Sequence, residues 1–175
     1  MMKTIETRRL ILRPFRQGDA EAMYRNWTSD PRVAEHCRWY AHESVSTTQD
    51  LLSYYISDDS PRWAITLRGD DEPIGCIDVV GADERGVPEV GYVLSHAYWG
   101  QGIMTETLRA VIGVLLEDGA PAVSACHSVR NPASGRVMEK CGMVYRENRM
   151  GLEKFGSDRL CEVKVYETPS ARAEK

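Results

Sequence analysis

The 175-residue sequence lacks several features that would assign it to a class of protein. It has no apolar run near the ~18 residues that a membrane-spanning helix needs, so we expect no membrane partner. Its first residues contain no apolar segment typical of a secretion signal. Its five cysteines include no C-x-x-C pair, so neither a metal site nor a disulfide framework is predicted. These absences together predict a cytoplasmic chain with reduced thiols.

A basic excess is also lacking, because 22 lysines and arginines face 26 aspartates and glutamates, for a net charge of −4. Nucleic-acid binding needs a basic face, so we expect no nucleic-acid partner. A negative charge is compatible with a cationic partner such as an amine. The length indicates one domain, which we place over residues 1–168, followed by a disordered tail over residues 169–175.

The predicted elements alternate in a defined order. A strand over residues 5–13 precedes short helices, three strands, a long helix, a strand, a second helix and two final strands. The long helix runs from about Ile103 to Glu117 and carries an apolar stripe that includes Leu108, Val111 and Ile112. This order predicts an α/β (α+β) fold, with a mixed seven-stranded sheet flanked by helices.

A glycine-containing loop, Tyr98-Trp99-Gly100-Gln101-Gly102, joins a strand to the long helix. The first N–H groups of a helix lack intrahelical acceptors and carry the positive end of the helix dipole, so they can bind a pyrophosphate. Glycine lets the backbone approach phosphates closely. Neither a Lys-Ser/Thr pair nor G-x-G-x-x-G is present, which excludes a P-loop and a dinucleotide fingerprint. Taken alone, the loop is equally compatible with an ordinary turn before a helix.

A second segment, Asn131-Pro132-Ala133-Ser134, opens another helix that Gly142 ends. Asn131 is a favourable N-cap, and proline is favourable at the first helical position. Lys140 is well placed for the C-terminal end of the helix dipole. Helix formation alone therefore explains these residues without any function.

Together the two segments resemble the CoA-binding motifs of the GNAT superfamily of N-acetyltransferases. They are most similar to the RimJ/RimL-type branch, whose members acetylate ribosomal-protein N-termini and other amines. The opening Glu6-Thr7-Arg8-Arg9-Leu10-Ile11-Leu12-Arg13-Pro14 resembles that branch's first strand. The resemblance covers about residues 4–167. It implies the GNAT fold, with a V-shaped splay between the two middle strands of a twisted seven-stranded sheet, and acetyl-CoA as co-substrate without a metal.

The resemblance also implies roles for individual residues. Amides of the glycine loop would hold the pyrophosphate, and the splayed strand would pair with the pantetheine arm and stabilise the oxyanion. The second helix would face that arm near the thioester and would reach the CoA phosphates through its lysine. The implied CoA-binding set is Tyr92, Val93, Leu94, Gln101, Gly102, Ile103, Met104, Thr105, Asn131, Ser134 and Lys140.

Two methionines depart from the family pattern. Met104 stands where many relatives have a small residue, and Met138 stands where many have a tyrosine that protonates the leaving thiolate. The nearest hydroxyl candidate for that protonation is Ser134. For the base that deprotonates the amine, the resemblance implies Glu153 first and Glu89 second, and a role for water stays open.

The acceptor is less defined than the donor. In this family the helical first third covers the acceptor side, where Trp39 and Tyr40 lie outside any periodic pattern and suit a pocket wall. An N-terminal α-amine and a small-molecule amine both remain candidates, and a homodimer stays open. The alternatives to amine acetylation are a CoA-binding regulatory module without turnover and a transferase that uses another acyl-CoA, such as succinyl-CoA.

Overall fold

The computed structural model describes residues 3–169 and is built around one sheet of eight strands. The strand order is β1-β2-β3-β4-β5-β6-β8-β7. Neighbouring strands are antiparallel except for β5 and β6, which are parallel. The strands are β1 (Ile5–Glu6), β2 (Leu10–Arg13), β3 (Arg62–Leu67), β4 (Asp70–Ala82), β5 (Pro88–Leu94), β6 (Ser124–Ser128), β7 (Val144–Leu152) and β8 (Leu160–Glu167).

The sheet has one strand more than the sequence predicts, because residues 5–13 form two short strands. Thr7 N–H donates to Leu10 O at 3.0 Å, and this turn folds β1 back on β2, with Ile5 opposite Leu12. The polar run Thr7-Arg8-Arg9 occupies the turn, where its side chains can leave the sheet. The mixed sheet flanked by helices is otherwise confirmed.

Helices cover both faces of the sheet. The helices are α1 (Ala20–Met23), which continues into a π-helical turn, α2 (Pro31–Ala34), α3 (Val45–Ser57), α4 (Ile103–Glu117) and α5 (Pro132–Lys140). Helices α4 and α5 pack on one face through residues such as Leu108, Val111 and Met138, which are all fully buried. The short helices cover the opposite face through Met23, Trp27, Val33 and Leu52. Two covered faces explain why β3 is buried along nearly its whole length.

The two middle strands separate soon after they meet. Strands β5 and β6 are paired only at Glu89 opposite Ser124 and Val90 opposite Ala125, and no further pair forms along the described lengths of either strand. From Gly91 onward β5 pairs with β4 alone, so its other edge is free of strand partners. The predicted V-shaped splay therefore opens beyond Val90.

Three predictions concern the C-terminal tail, membrane-spanning helices and metal sites. The predicted tail falls on Pro169, which has no regular structure, and on residues 170–175, which lie outside the described residues. Within residues 3–169, no helix is long and apolar enough to cross a membrane. In that same part of the chain, no group of three or more His, Cys, Asp or Glu side chains could hold a metal ion.

Candidate active site

The glycine loop ends in a helix start that is open for a ligand. Gly100 and Gly102 both have φ of +73°, a conformation that side chains with a Cβ rarely adopt. Gly102 O accepts from Glu106 N at 3.1 Å, so the amides of residues 103–105 have no acceptor within the helix. A Cβ on Gly100 would meet nothing within 4 Å, and one on Gly102 would meet only Arg9 Nη2 at 3.6 Å. The loop therefore fits the predicted pyrophosphate site.

Arg9, which directly precedes β2, and Glu106, in the first turn of α4, connect this loop to the first hairpin. Arg9 donates through Nε to Glu106 Oε2 at 2.7 Å and through its backbone N–H to Glu106 Oε1 at 2.9 Å. Arg9 Nη1 also donates to Gln101 O at 3.0 Å, and Thr7 Oγ1 donates to Glu106 Oε1 at 2.7 Å. Burial raises the pKa of Glu106, but the hydrogen bonds from Thr7 and Arg9 outweigh burial, and the net pKa lies below its ordinary value.

A groove of about 620 Å³ runs beside this helix start. Its basic lining residues are Arg8, Arg9, Arg109 and Lys140, which surround Gly102 and Thr105. The two carboxylates in the lining are already engaged, Glu106 by Arg9 and Glu6 by Arg68 at 3.0 Å. The groove is thus locally basic in a protein of net negative charge, which suits a phosphorylated ligand. Lys140 lies where the resemblance implies that it reaches CoA phosphates.

The free edge of β5 faces α5 across the splay. Tyr92 packs against the core on the α5 face, and its hydroxyl lies 2.8 Å from Ser134 Oγ and 3.1 Å from Ser134 O. Burial raises the pKa of the Tyr92 phenol well above its ordinary value. Val93 packs on the opposite face and Leu94 returns to the core beside α4, so the strand passes between the two helical layers.

The start of α5 is rigid. Asn131 Oδ1 accepts from Ser134 N at 3.3 Å, which is the helix cap that the sequence predicts. This bond occupies the Asn131 side-chain oxygen, while Ser134 Oγ is held by Tyr92. Met138 is fully buried among apolar side chains, so no hydroxyl stands at its position. The hydroxyls of Tyr92 on β5 and Ser134 on α5 therefore form a hydrogen-bonded pair across the splay.

A second cavity, of about 190 Å³, lies on the face opposite α5. It is lined by the loop after α2 (Glu35, His36, Cys37, Arg38), by the end of β6 (Cys126, His127, Ser128, Arg130) and by the β7–β8 hairpin (Leu152, Glu153, Cys161, Val163). Because the loop after α2 belongs to the part of the chain that the resemblance places on the acceptor side, we call it the acceptor cavity. The structure thus brings Glu153 to a cavity wall, where Arg130 binds its carboxylate.

Glu89 lies where the splay begins. Cys126 is the first β6 residue beyond the last strand pair, and its Sγ donates to Glu89 Oε1 at 3.3 Å. Arg149 Nη2 donates to Glu89 Oε2 at 2.5 Å. Burial is the main reason that the pKa of Cys126 is raised, which keeps this thiol neutral. Cys126 also lines the acceptor cavity, so Glu89 binds one of the residues in that lining without lining the cavity itself.

Trp39 and Tyr40 lie beside the acceptor cavity and not in its lining. Trp39 is half-buried against the cluster under α1–α3, and Tyr40 is 63% exposed with Lys154 Nζ 5.6 Å from its ring centre. Lys154 Nζ also donates to the carbonyls of Ala34, Cys37 and Trp39, at 2.5, 2.7 and 3.1 Å. The two aromatic residues therefore belong to a loop that Lys154 of the β7–β8 hairpin binds through backbone carbonyls.

The sequence did not single out Arg38 or Arg130, which line the acceptor cavity. The only local signal for Arg38 was its position directly before the two aromatic residues. No periodicity marks either arginine, because both lie in loops outside regular elements. Which arginine is bound to a carboxylate and which is free depends on distant segments that only the fold brings together.

Known proteins share the sequence family and the fold of this chain. Residues 9–144 match the family model described as Acetyltransferase (GNAT) domain. This stretch is most of the chain, so the protein belongs to the GNAT acetyltransferase family, and the prediction made from the two motifs is confirmed. A curated relative, the Uncharacterized N-acetyltransferase p20 of Bacillus licheniformis, is 30% identical over 116 residues, which are 63% of this chain and 65% of that protein.

Solved structures share the fold at low sequence identity. An acetyltransferase of the GNAT family from Bacillus anthracis superposes with a TM-score of 0.83 at 22% identity and covers 94% of this chain and 97% of its own. RimL, a ribosomal-protein alpha-N-acetyltransferase solved in complex with coenzyme A, superposes with a TM-score of 0.77 at 17% identity, over 94% of this chain and 97% of its own. This likeness of fold agrees with the resemblance to the RimJ/RimL-type branch.

Proposed function

We propose that the protein transfers an acetyl group from acetyl-CoA to a primary amine, either a protein N-terminal α-amine or the amine of a small molecule. The observation that carries the proposal is the free edge of β5 beyond Val90, which leads toward the loop that ends in the open helix start at Gly102. An extended pantetheine arm could hydrogen-bond to that edge as a strand would. Its phosphates would then lie at the amides of residues 103–105, beside the basic groove.

Several groups of this chain are placed to bind CoA. Arg8 and Lys140 line the basic groove and have no ion pair with any described residue. Their charges would attract phosphate in addition to the helix dipole. The solved RimL complex contains coenzyme A on the same fold, which supports the same ligand here.

The reaction requires a neutral amine that attacks the thioester carbonyl. A carbon–nitrogen bond forms, the carbon–sulfur bond breaks, the amine loses a proton and the departing thiolate gains one. An α-amine with a pKa near 7.8 is ~14% neutral at pH 7, whereas a lysine-type amine near 10.4 is only ~0.04% neutral. One carboxylate base supplies about 10²- to 10⁴-fold, which suits the α-amine better.

Glu153 and Glu89 are the candidate bases for that proton. Glu153 lines the acceptor cavity, and Glu89, next to the splay, accepts from the lining residue Cys126. Each accepts from an arginine, Arg130 and Arg149 respectively, which leaves part of its acceptor capacity for an amine or a bridging water. For the thiolate, the hydroxyl pair of Tyr92 and Ser134 lies beside the free edge of β5 and can deliver a proton.

The test is incubation with acetyl-CoA and a panel of amines, with thiol release and product mass measured together. Thiol release with an acetyl mass gain on the amine supports the proposal. Calorimetric CoA binding without turnover on any amine would contradict it and would favour a regulatory CoA-binding module. A competition between acetyl-CoA and succinyl-CoA identifies the preferred acyl group, and a preference for succinyl-CoA would also contradict the proposal.

A further inference from the structure

We propose that the acceptor is a small amine that also carries a carboxylate, and that Arg38 binds this carboxylate. This inference rests on the proposed acetyl transfer and specifies its second substrate. It concerns the acceptor cavity, whose lining includes both Arg38, in the loop after α2, and Cys126, the first β6 residue beyond the last β5–β6 pair.

Arg38 is the cation that the cavity leaves unpaired. Arg130 is bound to Glu153, and nearby Arg149 is bound to Glu89, so both of these arginines are already neutralised. The Arg38 guanidinium makes no hydrogen bond or ion pair with residues 3–169. Its Nη2 lies 3.7 Å from the position that a Cβ on Gly151 would take, which places the guanidinium over the end of β7.

The backbone carbonyls at and beside Arg38 are hydrogen-bonded to the β7–β8 hairpin. Arg38 O accepts from Phe155 N at 2.6 Å, and Lys154 Nζ binds the carbonyls of Cys37 and Trp39 on either side. The hairpin thus holds the loop from which the guanidinium projects. The Arg38 side chain is exposed, so its guanidinium is accessible to an anion, and its N–H donors form the planar fork that matches a carboxylate.

The size of the cavity limits the acceptor. A volume of about 190 Å³ corresponds to roughly six water molecules at ~30 Å³ each. This space accommodates a molecule the size of an amino acid. The cavity therefore suits an acceptor whose reacting part is no larger than one amino acid.

The charges along the cavity give the acceptor a direction. Near Cys126, Glu89 is paired with Arg149 but keeps acceptor capacity for the amine end of a ligand. The loop after α2 contributes Arg38, which favours an anion, and also Glu35, a carboxylate with no ion pair among residues 3–169. The amine would then point to the splay, where the thioester is expected, and the carboxylate would point outward. Net charge alone suggested a purely cationic acceptor, whereas the cavity itself presents both signs.

The experiment compares matched pairs of amines with and without a carboxylate. The pairs are alanine with ethylamine, methionine with 3-(methylthio)propylamine, and phenylalanine with 2-phenylethylamine. For each, kcat and KM are measured with the wild type, Arg38→Gln and Arg38→Lys. In wild type at least one carboxylate-bearing amine is acetylated. Arg38→Gln raises the KM of that amine about tenfold or more and changes its decarboxylated partner less than about threefold. Arg38→Lys, which keeps the charge and loses the fork, gives an intermediate KM.

The control is Arg159→Gln, which removes the same charge from an exposed side chain outside the cavity lining. It should leave both members of each pair unchanged, and thermal unfolding checks that all variants are folded. Because each amine is compared with itself across variants, different amine pKa values do not enter the result. Equal effects of Arg38→Gln on both members of a pair, or turnover confined to decarboxylated amines or to peptide N-termini, overturns the inference and leaves the acetyltransferase proposal intact. No thiol release from any amine overturns both.

Discussion

Arg9 and Glu106 join the first hairpin to the start of α4 through two hydrogen bonds, from Arg9 N and Arg9 Nε, at 2.9 and 2.7 Å. The same arginine binds Gln101 O, so one side chain connects β2, the glycine loop and the helix. Glu106 lies in the first turn of α4, where a carboxylate also interacts favourably with the helix dipole. This arrangement fixes the helix start before any ligand binds.

Glu106→Gln should therefore destabilise the protein in a pH-dependent way. The pKa of Glu106 is lowered in the folded state, so its contribution is present above its unfolded pKa of about 4.3 and is lost as pH falls through the folded pKa. We expect a loss of about 1–2 kcal/mol at pH 7 that shrinks below about pH 4. Urea unfolding at several pH values measures it, and a loss that is constant down to pH 3 would contradict the role of the charge.

Gly102→Val should weaken CoA binding about tenfold or more, because a β-branched residue cannot easily keep the φ of +73° that opens the loop. Isothermal calorimetry measures the Kd. The matched control is Gly69→Val, at φ of +85° in the β3–β4 turn, where a Cβ would meet nothing within 4 Å, compared with an ordinary contact to Arg9 Nη2 at 3.6 Å for Gly102. Both variants carry similar backbone strain, so an equal loss of affinity in both would show that strain alone, and not the phosphate site, is responsible.

Ser134→Ala should lower kcat by about 10- to 1000-fold while the Kd for CoA changes little, if this hydroxyl protonates the thiolate or positions the thioester. Tyr92→Phe removes the group 2.8 Å from Ser134 Oγ and keeps the ring in the core, so it should lower kcat less than Ser134→Ala does. Steady-state kinetics and calorimetry separate the two quantities. Wild-type kcat in both variants would leave Ser134 with a purely structural role at the start of α5.

The pH dependence of kcat distinguishes the two candidate bases. Glu153→Gln keeps the shape of the side chain and removes the proton acceptor, so kcat should fall most at low pH and recover as pH approaches the pKa of the amine. Glu89→Gln is made in parallel, because Glu89 accepts from Cys126, which lines the same cavity. If the Glu153→Gln profile runs parallel to wild type and the Glu89→Gln profile shows the recovery, Glu89 is the base.

Gly135→Ala should destabilise the fold by about 1–3 kcal/mol, because the added Cβ would lie 2.6 Å from His127 Nε2. The His127 ring cannot easily move, since it is buried, donates from Nδ1 to Ser128 O at 2.8 Å and packs 5.6 Å from the Tyr166 ring centre. Urea unfolding measures the loss. Combining Gly135→Ala with His127→Ala should cost less than the sum of the single changes, and strict additivity would contradict the steric explanation.

The sequence predicted the long helix Ile103–Glu117 at its observed bounds and the cap at Asn131, because these depend on neighbouring residues. It was wrong about the first strand, where the turn at Thr7 depends on a hydrogen bond to Leu10 that periodicity does not reveal. The family prediction followed from two segments, the glycine loop and the start of α5, which can each be recognised from neighbouring residues. The acceptor side could not be predicted in this way. Trp39 and Tyr40 were proposed as a pocket wall because they are aromatic, whereas Arg38, which lines the cavity, was not proposed.

The sequence by itself determined the elements, their order and the open helix start at Gly102, because hydrogen bonds and side-chain periodicity within a few residues decide them. The tertiary structure alone decided which charges are paired. Glu89 meets Arg149 across 60 positions of sequence, Glu153 meets Arg130, and Arg38 is left free beside them. Coulomb interactions depend on distance in space, and only the packing of the hairpin against the loop after α2 sets those distances.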